Sequence, residues 1–466
     1  MTPLGEQSLI MEKHSMKTPI RLTLAATALT TFGLAASASH AGGFALIEQG
    51  VKGLGNAYAG AAASAEDAST IFFNPAGMTL LDGHQVVAGL HIIQPSTKFT
   101  DNGSKSLITS ANTSGGNGGD AADLAVIPNL FLVADINDEV KLGLGISVPF
   151  GLGTNYDKDW KGRYQAVETA VEVININPSL AFEVNPQWSV GLGANIQYFK
   201  AKLTNAVDFS TVCLGSALAP NCGALNLSTP QTPATDGFAD ITGTSWGFGY
   251  NLGVLFSPTE ATRVGLAYRS QVKHSLDGKA DFTLPAAAGA ISPIAARFAD
   301  TDITGDIDLP STLSLSLSHQ FNDTWTLLAD ITRTGWSSYD KLVIEFDNPA
   351  KDPSEEVNDW EDVNRYSIGV NFTPSQTWIY RAGIAYDESP VPSAELRSAR
   401  SPGSDRTWLA LGLGYQMAKN LTLDFGYAHL FAKDAEINRE GATKDLLKGS
   451  YESNVDILSG QVVWVF

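Results

Sequence analysis

Most of the chain alternates with a period of two residues between large apolar side chains and small or polar ones. In the stretch 188–198 the even positions carry Trp, Val, Leu, Ala, Ile and Tyr, whereas the odd positions carry Ser, Gly, Gly, Asn and Gln. The stretches 246–256, 312–318 and 421–428 repeat the pattern. Because successive side chains of a β-strand point to opposite faces, the pattern predicts strands with one apolar and one small, polar face.

The connections between these strands separate a barrel from a soluble β-sandwich, which also alternates. Every second junction is a short turn, and we place these turns at 136–139, 185–187, 257–261, 322–323, 374–376 and 418–420. The other junctions are long polar segments, at 101–123, 151–165, 204–241, 280–305, 347–360, 387–404 and 432–450. Short turns at one rim and long loops at the other are typical of outer-membrane proteins, so we predict an all-β fold, a transmembrane antiparallel β-barrel of about 14 strands.

Aromatic residues near the strand ends fit the girdles that such barrels place at the membrane interfaces. The candidates for this lipid-facing set are Trp188, Trp246, Trp325, Trp378, Trp408 and Trp464. No stretch after the first 41 residues has the roughly 18 continuous apolar residues of a transmembrane helix. The sequence therefore predicts that strands alone cross the membrane.

The N-terminus carries an export signal within residues 1–41. Lys17 and Arg21 precede an apolar core, and Ser39 and Ala41 supply small residues at positions −3 and −1 of a cleavage site. We predict cleavage after Ala41. Residues 1–15 carry no recognisable signal and are consistent with a start codon assigned too early.

The segment 42–82 is rich in glycine and alanine and has neither a helical apolar stripe nor a long alternation. It contains the turn sequence Asn74-Pro75-Ala76-Gly77, in which proline fixes its own φ and keeps Asn74 out of the helical region. Such a segment cannot form a core of its own. We therefore expect it to lie as a hatch inside a barrel formed by residues 83–466.

Four stretches make the chain similar to a known family. They are Asn74-Pro75-Ala76, the run 127–130 (IPNL), the run 378–392 (WIYRAGIAYDESPVP) and the run 404–408 (SDRTW). The chain resembles the long-chain fatty acid outer-membrane transporters, the FadL and aromatic-hydrocarbon channel family of bacterial outer-membrane barrels. The strand that closes on the terminal Phe466 also resembles the signal that the barrel-assembly machinery reads during biogenesis.

The resemblance implies a monomer in the outer membrane, in contact with its lipid and lipopolysaccharide, that takes up long-chain fatty acids or other hydrophobic small molecules passively. Ligand would enter an apolar groove between the loops near 204–241 and 280–305, reach a site against the hatch, and leave sideways through the barrel wall. Aromatic or alkane hydrocarbons are the alternative substrates within this class. An outer-membrane lipid hydrolase is the alternative from another class, and a non-specific porin is a third.

The resemblance also places an inward kink in the third strand. The alternation of residues 141–148 breaks at Pro149, Phe150, Gly151 and Gly153, and proline cannot donate to a β-ladder whereas glycine permits a bend. We expect Asn74 to cap backbone groups that this kink leaves unpaired. The alternative is an ordinary strand end at the outer rim.

A fatty acid needs a basic partner for its carboxylate, because a buried charge needs an opposite charge. Our candidates for this anchor are Lys200, Lys202 and Arg381. Arginines in the strands have a competing role as structural partners of luminal acids such as Asp330 and Asp424. The apolar loop stretches 214–227 and 284–298 either line the entrance groove or pack on each other.

Charge, cysteine content and motifs further restrict which partners and which chemistry we expect. The formal charge of −19 argues against a nucleic-acid partner. The two cysteines, Cys213 and Cys222, lie close together in an exported chain and predict a loop disulfide. The stretch 243–247 matches the nucleophile motif G-x-S-x-G but opens a strand instead of following one, so we expect no enzyme. We expect no cofactor and no metal.

Overall fold

The computed structural model describes residues 43–466, and the predicted signal peptide lies outside the described residues. These residues form one antiparallel sheet that closes on itself, since the first strand pairs with the last from Gln85↔Val465 to Asp101↔Gly449.

The first ten strands are β1 (Gln85–Asp101), β2 (Lys105–Ser106), β3 (Ala125–Asp135), β4 (Val140–Asn155), β5 (Glu168–Asn185), β6 (Trp188–Asp208), β7 (Asp236–Thr259), β8 (Thr262–Arg269), β9 (Val272–Thr283) and β10 (Thr301–Leu309). The other ten are β11 (Thr312–Gln320), β12 (Trp325–Thr334), β13 (Lys341–Phe346), β14 (Ser354–Val357), β15 (Val363–Phe372), β16 (Trp378–Asp387), β17 (Arg406–Ala418), β18 (Leu421–Ala432), β19 (Ala435–Glu440) and β20 (Asp445–Val465).

These strands make a barrel wall of 14 members. The short β2 lies in an outer loop and pairs with β20 outside the wall. Five members of the wall are each interrupted once, and they consist of β8 with β9, β10 with β11, β12 with β13, β14 with β15, and β18 with β19. The predicted fold class and strand number are confirmed.

Side-chain burial follows the predicted alternation. In β6 the even positions from Trp188 to Ala194 are exposed and the odd positions from Ser189 to Asn195 are buried. Leu313 and Leu315 are likewise exposed on β11, whereas Ser316 is buried. Apolar side chains therefore form the outer, lipid-facing surface, and small or polar ones face the lumen.

Trp408 is the exception among the predicted girdle residues. The other five tryptophans of that set are exposed, but Trp408 is fully buried on the luminal face of β17, where its ring contacts Tyr58. The neighbouring Thr407 and Leu409 point outward instead. The prediction failed because it took the aromatic residue, and not the alternating leucines, as the mark of the outer face.

Residues 43–84 lie inside the barrel and are called the N-terminal segment below. It contains short helices at Val51–Gly55, Ala61–Ser64 and Thr70–Phe73, followed by a 3-10 helix at Pro75–Leu80. It passes within contact distance of wall glycines on both sides of the lumen, at positions 143, 191, 253, 265, 369, 383, 412 and 426. A Cβ at Gly412 would lie 2.7 Å from the Cα of Gly55, so only glycine lets the two backbones approach this closely.

The long loops contain the remaining helices. These are α-helices at Phe209–Leu214, Ala286–Gly289 and Ser292–Arg297, and 3-10 helices at Ala219–Asn221, Pro233–Thr235 and Trp336–Ser338. Cys213 and Cys222 form the predicted disulfide. No helix within residues 43–466 is long and apolar enough to cross a bilayer.

Candidate transport path

The barrel wall is irregular at the outer half of β4. Its pairing with β5 shifts register between Ser147 and Phe150. Its pairing with β3 ends at Leu130↔Ile146, so residues 147–155 have no ladder partner in β3. The wall therefore has an open edge between β3 and β4, beside Pro149.

The start of the N-terminal segment occupies this open edge. The Leu46 N–H donates to the Pro149 carbonyl at 2.8 Å, and the Gly151 N–H donates to the Phe44 carbonyl at 3.0 Å. Ala45 and Phe150 form an antiparallel bridge between these two bonds. Residues 44–46, called the closing strand below, thus supply the pairing that β3 does not provide.

Gln49 satisfies the backbone at the register shift. Its Nε2 donates to the Val148 carbonyl at 2.7 Å, and the Val148 N–H donates to its Oε1 at 3.3 Å. We expected Asn74 to have this role, and the structure corrects that expectation. The Asn74 side chain instead donates to the carbonyls of Ala62 and Val254 and accepts from the Ala76 N–H.

Asn74 therefore fastens the turn 74–77 to the wall at a different place. Gly253 on β7 faces the Asn74 side chain, and Gly191 on β6 faces the backbone of Pro75 and Ala76. All four residues from Asn74 to Gly77 are buried. The turn fixes the C-terminal part of the N-terminal segment, far along the chain from the closing strand.

Two cavities lie in the lumen, on either side of the closing strand. The upper cavity, nearer the long loops, has a lining that is mostly aliphatic and aromatic, from Phe44, Leu152, Val171, Phe199, Leu203, Ile241, Leu276, Ile303, Ile307, Tyr339, Leu342 and Ile344. Its polar end is formed by Glu356, Ser398, Arg400 and Ser401. This is an apolar pocket with a few convergent polar groups, as expected of a site for a lipophilic ligand.

Arg400 is the basic residue of the upper cavity. Its guanidinium lies 3.4 Å from a Glu356 carboxylate oxygen and donates weak hydrogen bonds to Thr169 Oγ1 at 3.2 Å and Asn205 Oδ1 at 3.3 Å. Burial lowers the pKa of this arginine, and the negative charge of Glu356 opposes the shift. Burial takes hydrating water away from the guanidinium charge, and an anionic ligand at this end would stabilise the charged form in its place.

The lower cavity is bounded by the N-terminal segment on one side and by β7, β8, β11, β12 and β15 on the other. Its apolar lining includes Leu46, Ile47, Phe72, Phe73 and Phe150. Its polar lining includes Asn251, Arg269, Ser314, Asp330, Thr332, Thr334, Arg365 and Asp387. The lower cavity is thus amphipathic.

Phe44 separates the two cavities. Its ring packs edge-on against Trp336 at 4.8 Å and Tyr339 at 5.6 Å, and it also contacts Phe150 and Trp360. Phe44 lines the upper cavity, and the residues that follow it line the lower one. Movement of the closing strand would therefore join the cavities and expose the open edge of β4 at the same time.

None of the three basic residues that the sequence favoured lines either cavity. Lys200 and Lys202 share the outward-facing parity of Trp188 on β6, and Lys202 pairs with Glu168 at 2.7 Å. Arg381 faces inward but is buried between Glu66 at 2.9 Å and Asp424 at 3.0 Å. The structural pairing of a luminal arginine with Asp424, which the sequence left open, is present here.

The apolar loop stretches pack on each other. Cys213, Cys222 and Leu227 of one loop form a cluster with Ile291 and Ile294 of the other. This cluster covers the outer ends of β6 and β7, since Val207 and Ala239 also belong to it. A ligand that enters here has to separate the packed loops.

A histidine and a serine also contact each other within the wall. His91 Nδ1 lies 2.7 Å from Ser459 Oγ, and His91 Nε2 lies 2.9 Å from the Asn129 amide. All three residues are buried and line neither cavity. A lipid hydrolase would need such a pair on a surface that lipid reaches. Within residues 43–466 no group of three His, Cys, Asp or Glu residues is placed to hold a metal ion.

A closed barrel with an apolar outer face, an N-terminal segment in its lumen, and one apolar and one amphipathic cavity beside that segment has the architecture of an outer-membrane transport protein. Comparison with known proteins agrees, because the profile of the outer membrane protein transport protein family (OMPP1/FadL/TodX) matches residues 32–466. The chain belongs to this family, whose members are transport channels and not enzymes.

Three relatives illustrate the likeness. Outer membrane protein P1 of Haemophilus influenzae is 33% identical over 432 residues, which is 88% of this chain and 90% of that protein. The long-chain fatty acid transport protein of Salmonella typhi is 31% identical over 403 residues, covering 85% and 89%. The crystal structure of a Pseudomonas aeruginosa FadL homologue superposes with a TM-score of 0.82 at 25% identity, covering 91% of this chain and 99% of that one.

Proposed function

We propose that this barrel takes up long-chain fatty acids, with Arg400 as the residue that binds the carboxylate. The observation that carries the proposal is the upper cavity, where the Arg400 guanidinium lies at the polar end of a mostly apolar pocket. A hydrocarbon chain gains about 25 cal/mol per Å² of buried apolar surface. Burial of the carboxylate carries a desolvation cost, which a nearby cation such as the Arg400 guanidinium offsets.

Uptake follows the order of the cavities. Ligand first enters between the packed outer loops and binds in the upper cavity against Phe44. Displacement of the closing strand then opens the passage to the lower cavity and uncovers the edge of β4 beside Pro149, Phe150, Gly151 and Gly153. The ligand leaves sideways through this edge into the outer membrane. Uptake is passive and follows the concentration gradient.

The turn 74–77 gives the N-terminal segment its role as a hatch in this scheme. Because Asn74 holds the turn against β7, the closing strand can move while the rest of the segment stays in the lumen. The segment thereby blocks the straight route to the periplasm during lateral release. The protein works as a monomer, surrounded by outer-membrane lipid and lipopolysaccharide, after insertion by the barrel-assembly machinery.

A neutral aromatic or alkane hydrocarbon is the second candidate substrate. The observation that favours it is the position of Glu356, which already lies 3.4 Å from Arg400 and partly neutralises it. A hydrocarbon would need no cation, and the lining of the upper cavity would suit it equally well.

Binding of oleate and of oleyl alcohol to the detergent-extracted protein distinguishes the two candidates. We expect oleate to bind more tightly than the alcohol, and Arg400→Met to remove the difference. Lys202→Met serves as the control, because Lys202 lies on the outer face and its loss should leave the difference in place. Equal affinity for both ligands in the unaltered protein would reject the fatty acid and leave the hydrocarbon.

A further inference from the structure

Three phenylalanine rings at the outer side of the upper cavity surround the ammonium group of one lysine. Phe282 and Phe346 lie on the luminal face at the outer ends of β9 and β13, and Phe298 belongs to the segment 284–298, called the roof loop below. The Nζ of Lys351 lies 4.2 Å from the centre of the Phe298 ring and 4.7 Å from the centres of the other two. The rings attract the cation through their quadrupoles, and the attraction grows as water is excluded.

This lysine belongs to the segment 347–352, called the strap below, which has two further contacts with the roof loop. Asn348 Nδ2 donates to the Ala296 carbonyl at 2.8 Å. Arg297 pairs with Asp352 at 2.7 Å, but both side chains are exposed, so this ion pair contributes little. The lysine among the three rings is therefore the main charged contact between the strap and the roof loop.

The three rings connect the upper cavity with the loop cluster above it. Phe282 and Phe346 pack against Ile303 and Ile344, which line the upper cavity. Phe298 belongs to the apolar cluster that joins the roof loop to the loop with the disulfide. A ligand that enters between these loops has to pass the rings, and the roof loop cannot move away from the cavity while the lysine holds them together.

We propose that the strap is a latch on the ligand entrance, and that Lys351 sets how fast ligand passes the roof loop. This inference rests on the entry between the outer loops that the proposed function contains. When the ammonium leaves the rings, the roof loop separates from the strap, while the apolar cluster still holds it to the loop with the disulfide. Lys351 lines neither cavity, so the latch acts on the passage and not on the bound ligand.

Rates of ligand exchange distinguish a latch from a ligand-binding residue. The latch is closed both before and after binding, so weakening it speeds entry and exit equally and leaves the affinity unchanged. Lys351→Ala should raise the association and dissociation rate constants of oleate by the same factor, roughly twofold to thirtyfold. Stopped-flow measurements on the detergent-extracted protein give both constants. Oleyl alcohol should show the same acceleration, because the latch does not depend on the charge of the ligand.

Three further variants serve as tests and controls. Asn348→Ala removes a different contact between the strap and the roof loop and should accelerate both rates to a smaller extent. Lys351→Arg keeps a cation at the rings and should leave the rates close to those of the unaltered protein. Lys279→Ala removes an exposed lysine from the outward face of β9 and should change neither rate.

Hydrogen exchange of the roof loop tests the latch without any ligand. Residues 286–298 should exchange faster in Lys351→Ala and Asn348→Ala than in the unaltered protein, whereas the strands of the barrel should not change. Lys279→Ala should have no effect. Unchanged exchange of the roof loop in Lys351→Ala would reject the latch, whatever the ligand of the protein is.

The remaining outcomes separate the latch from the proposed function. Unchanged rate constants in Lys351→Ala would reject the latch and leave the assignment of Arg400 as it is. A loss of affinity for oleate but not for oleyl alcohol would make Lys351 a contact of the carboxylate and overturn its role as a latch. If Lys351→Ala accelerates exchange of both ligands while Arg400→Met leaves the oleate affinity unchanged, the latch stands and the assignment of Arg400 fails.

Discussion

The side-chain amide of Gln49 forms hydrogen bonds with both backbone groups of Val148, at 2.7 and 3.3 Å. Val148 stands where the pairing of β4 shifts register, and β3 offers it no partner. One side chain of the N-terminal segment therefore does what a neighbouring strand does elsewhere in the wall. This contact links the position of the segment to the irregularity of the wall.

Loss of this amide should loosen the closing strand without unfolding the barrel. Gln49→Ala leaves a buried N–H and a buried carbonyl without a partner, at a cost of about 1–3 kcal/mol each. We expect faster amide hydrogen exchange in residues 44–50 and at Val148, with an unchanged unfolding temperature of the barrel. Gln187→Ala, in an exposed turn, is the matched control. Unchanged exchange in Gln49→Ala would show that the contact is dispensable.

Arg381 and Arg400 should respond differently to the same substitution. Arg381→Met leaves Asp424 buried without its cation, which costs about 3–5 kcal/mol and should lower the stability of the barrel. Arg400→Met removes a residue at a cavity wall and should lower oleate affinity with a smaller effect on stability. Thermal unfolding and oleate titration of both variants check this. A folded Arg381→Met protein with selectively weakened oleate binding would restore Arg381 as the anchor.

The disulfide should matter for the loops more than for the barrel. It closes a loop of about 10 residues, so its loss costs roughly 2–3 kcal/mol of local stability in a chain-entropy treatment. We expect the double variant Cys213→Ser, Cys222→Ser to bind oleate more weakly, because both cysteines belong to the cluster that joins the two apolar loops. Its barrel unfolding temperature should stay the same. A large loss of barrel stability with unchanged oleate affinity would contradict this prediction.

Glu48 should make the docking of the N-terminal segment dependent on pH. It is buried, and burial raises its pKa from 4.5 to about 7, with Arg406 and Arg365 opposing and Asp387 adding to the shift. Between the two pKa values, the Glu48 carboxyl holds a proton when the segment is docked and releases it when the segment is undocked. Docking is strongest below the undocked pKa and weakens as pH rises through 7, by about 3 kcal/mol in total.

Hydrogen exchange of residues 44–50 between about pH 5 and about pH 8, corrected for the intrinsic exchange rate, measures this change. Protection should fall as pH rises in the unaltered protein and stay constant in Glu48→Gln. The same pH dependence in both proteins would assign the effect to another group.

The period-two pattern was sufficient to predict the wall, because burial in a barrel follows strand parity directly. The short turns and the disulfide were predicted from composition and spacing. Several long loops are shorter than predicted, because residues 151–155, 236–241, 301–305 and 445–450 belong to strands. Parity would also have placed Trp408 inside and Lys200 outside, had it been applied to them strictly. Here a residue-type rule was preferred to the pattern, and it gave the wrong face.

The sequence did not predict the residues that line the transport path, and the reason is different. Gln49 and Arg400 lie in a glycine-rich segment and a long loop, with no local signal. Their roles depend on contacts between positions far apart in the chain, such as Gln49 with Val148. One clue was present, since the run 404–408 follows directly on the loop that contains Arg400.

The central claim is that the closing strand must leave the edge of β4 for ligand to be released sideways. Ala45 and Phe150 form a β-bridge across this contact, so cysteines at both positions can be joined by a disulfide. The measurement is oleate uptake by cells that carry Ala45→Cys, Phe150→Cys in a background without Cys213 and Cys222. We predict that the oxidised protein binds oleate but does not take it up, and that reduction restores uptake. Undiminished uptake with the closing strand locked to β4 would contradict the lateral route.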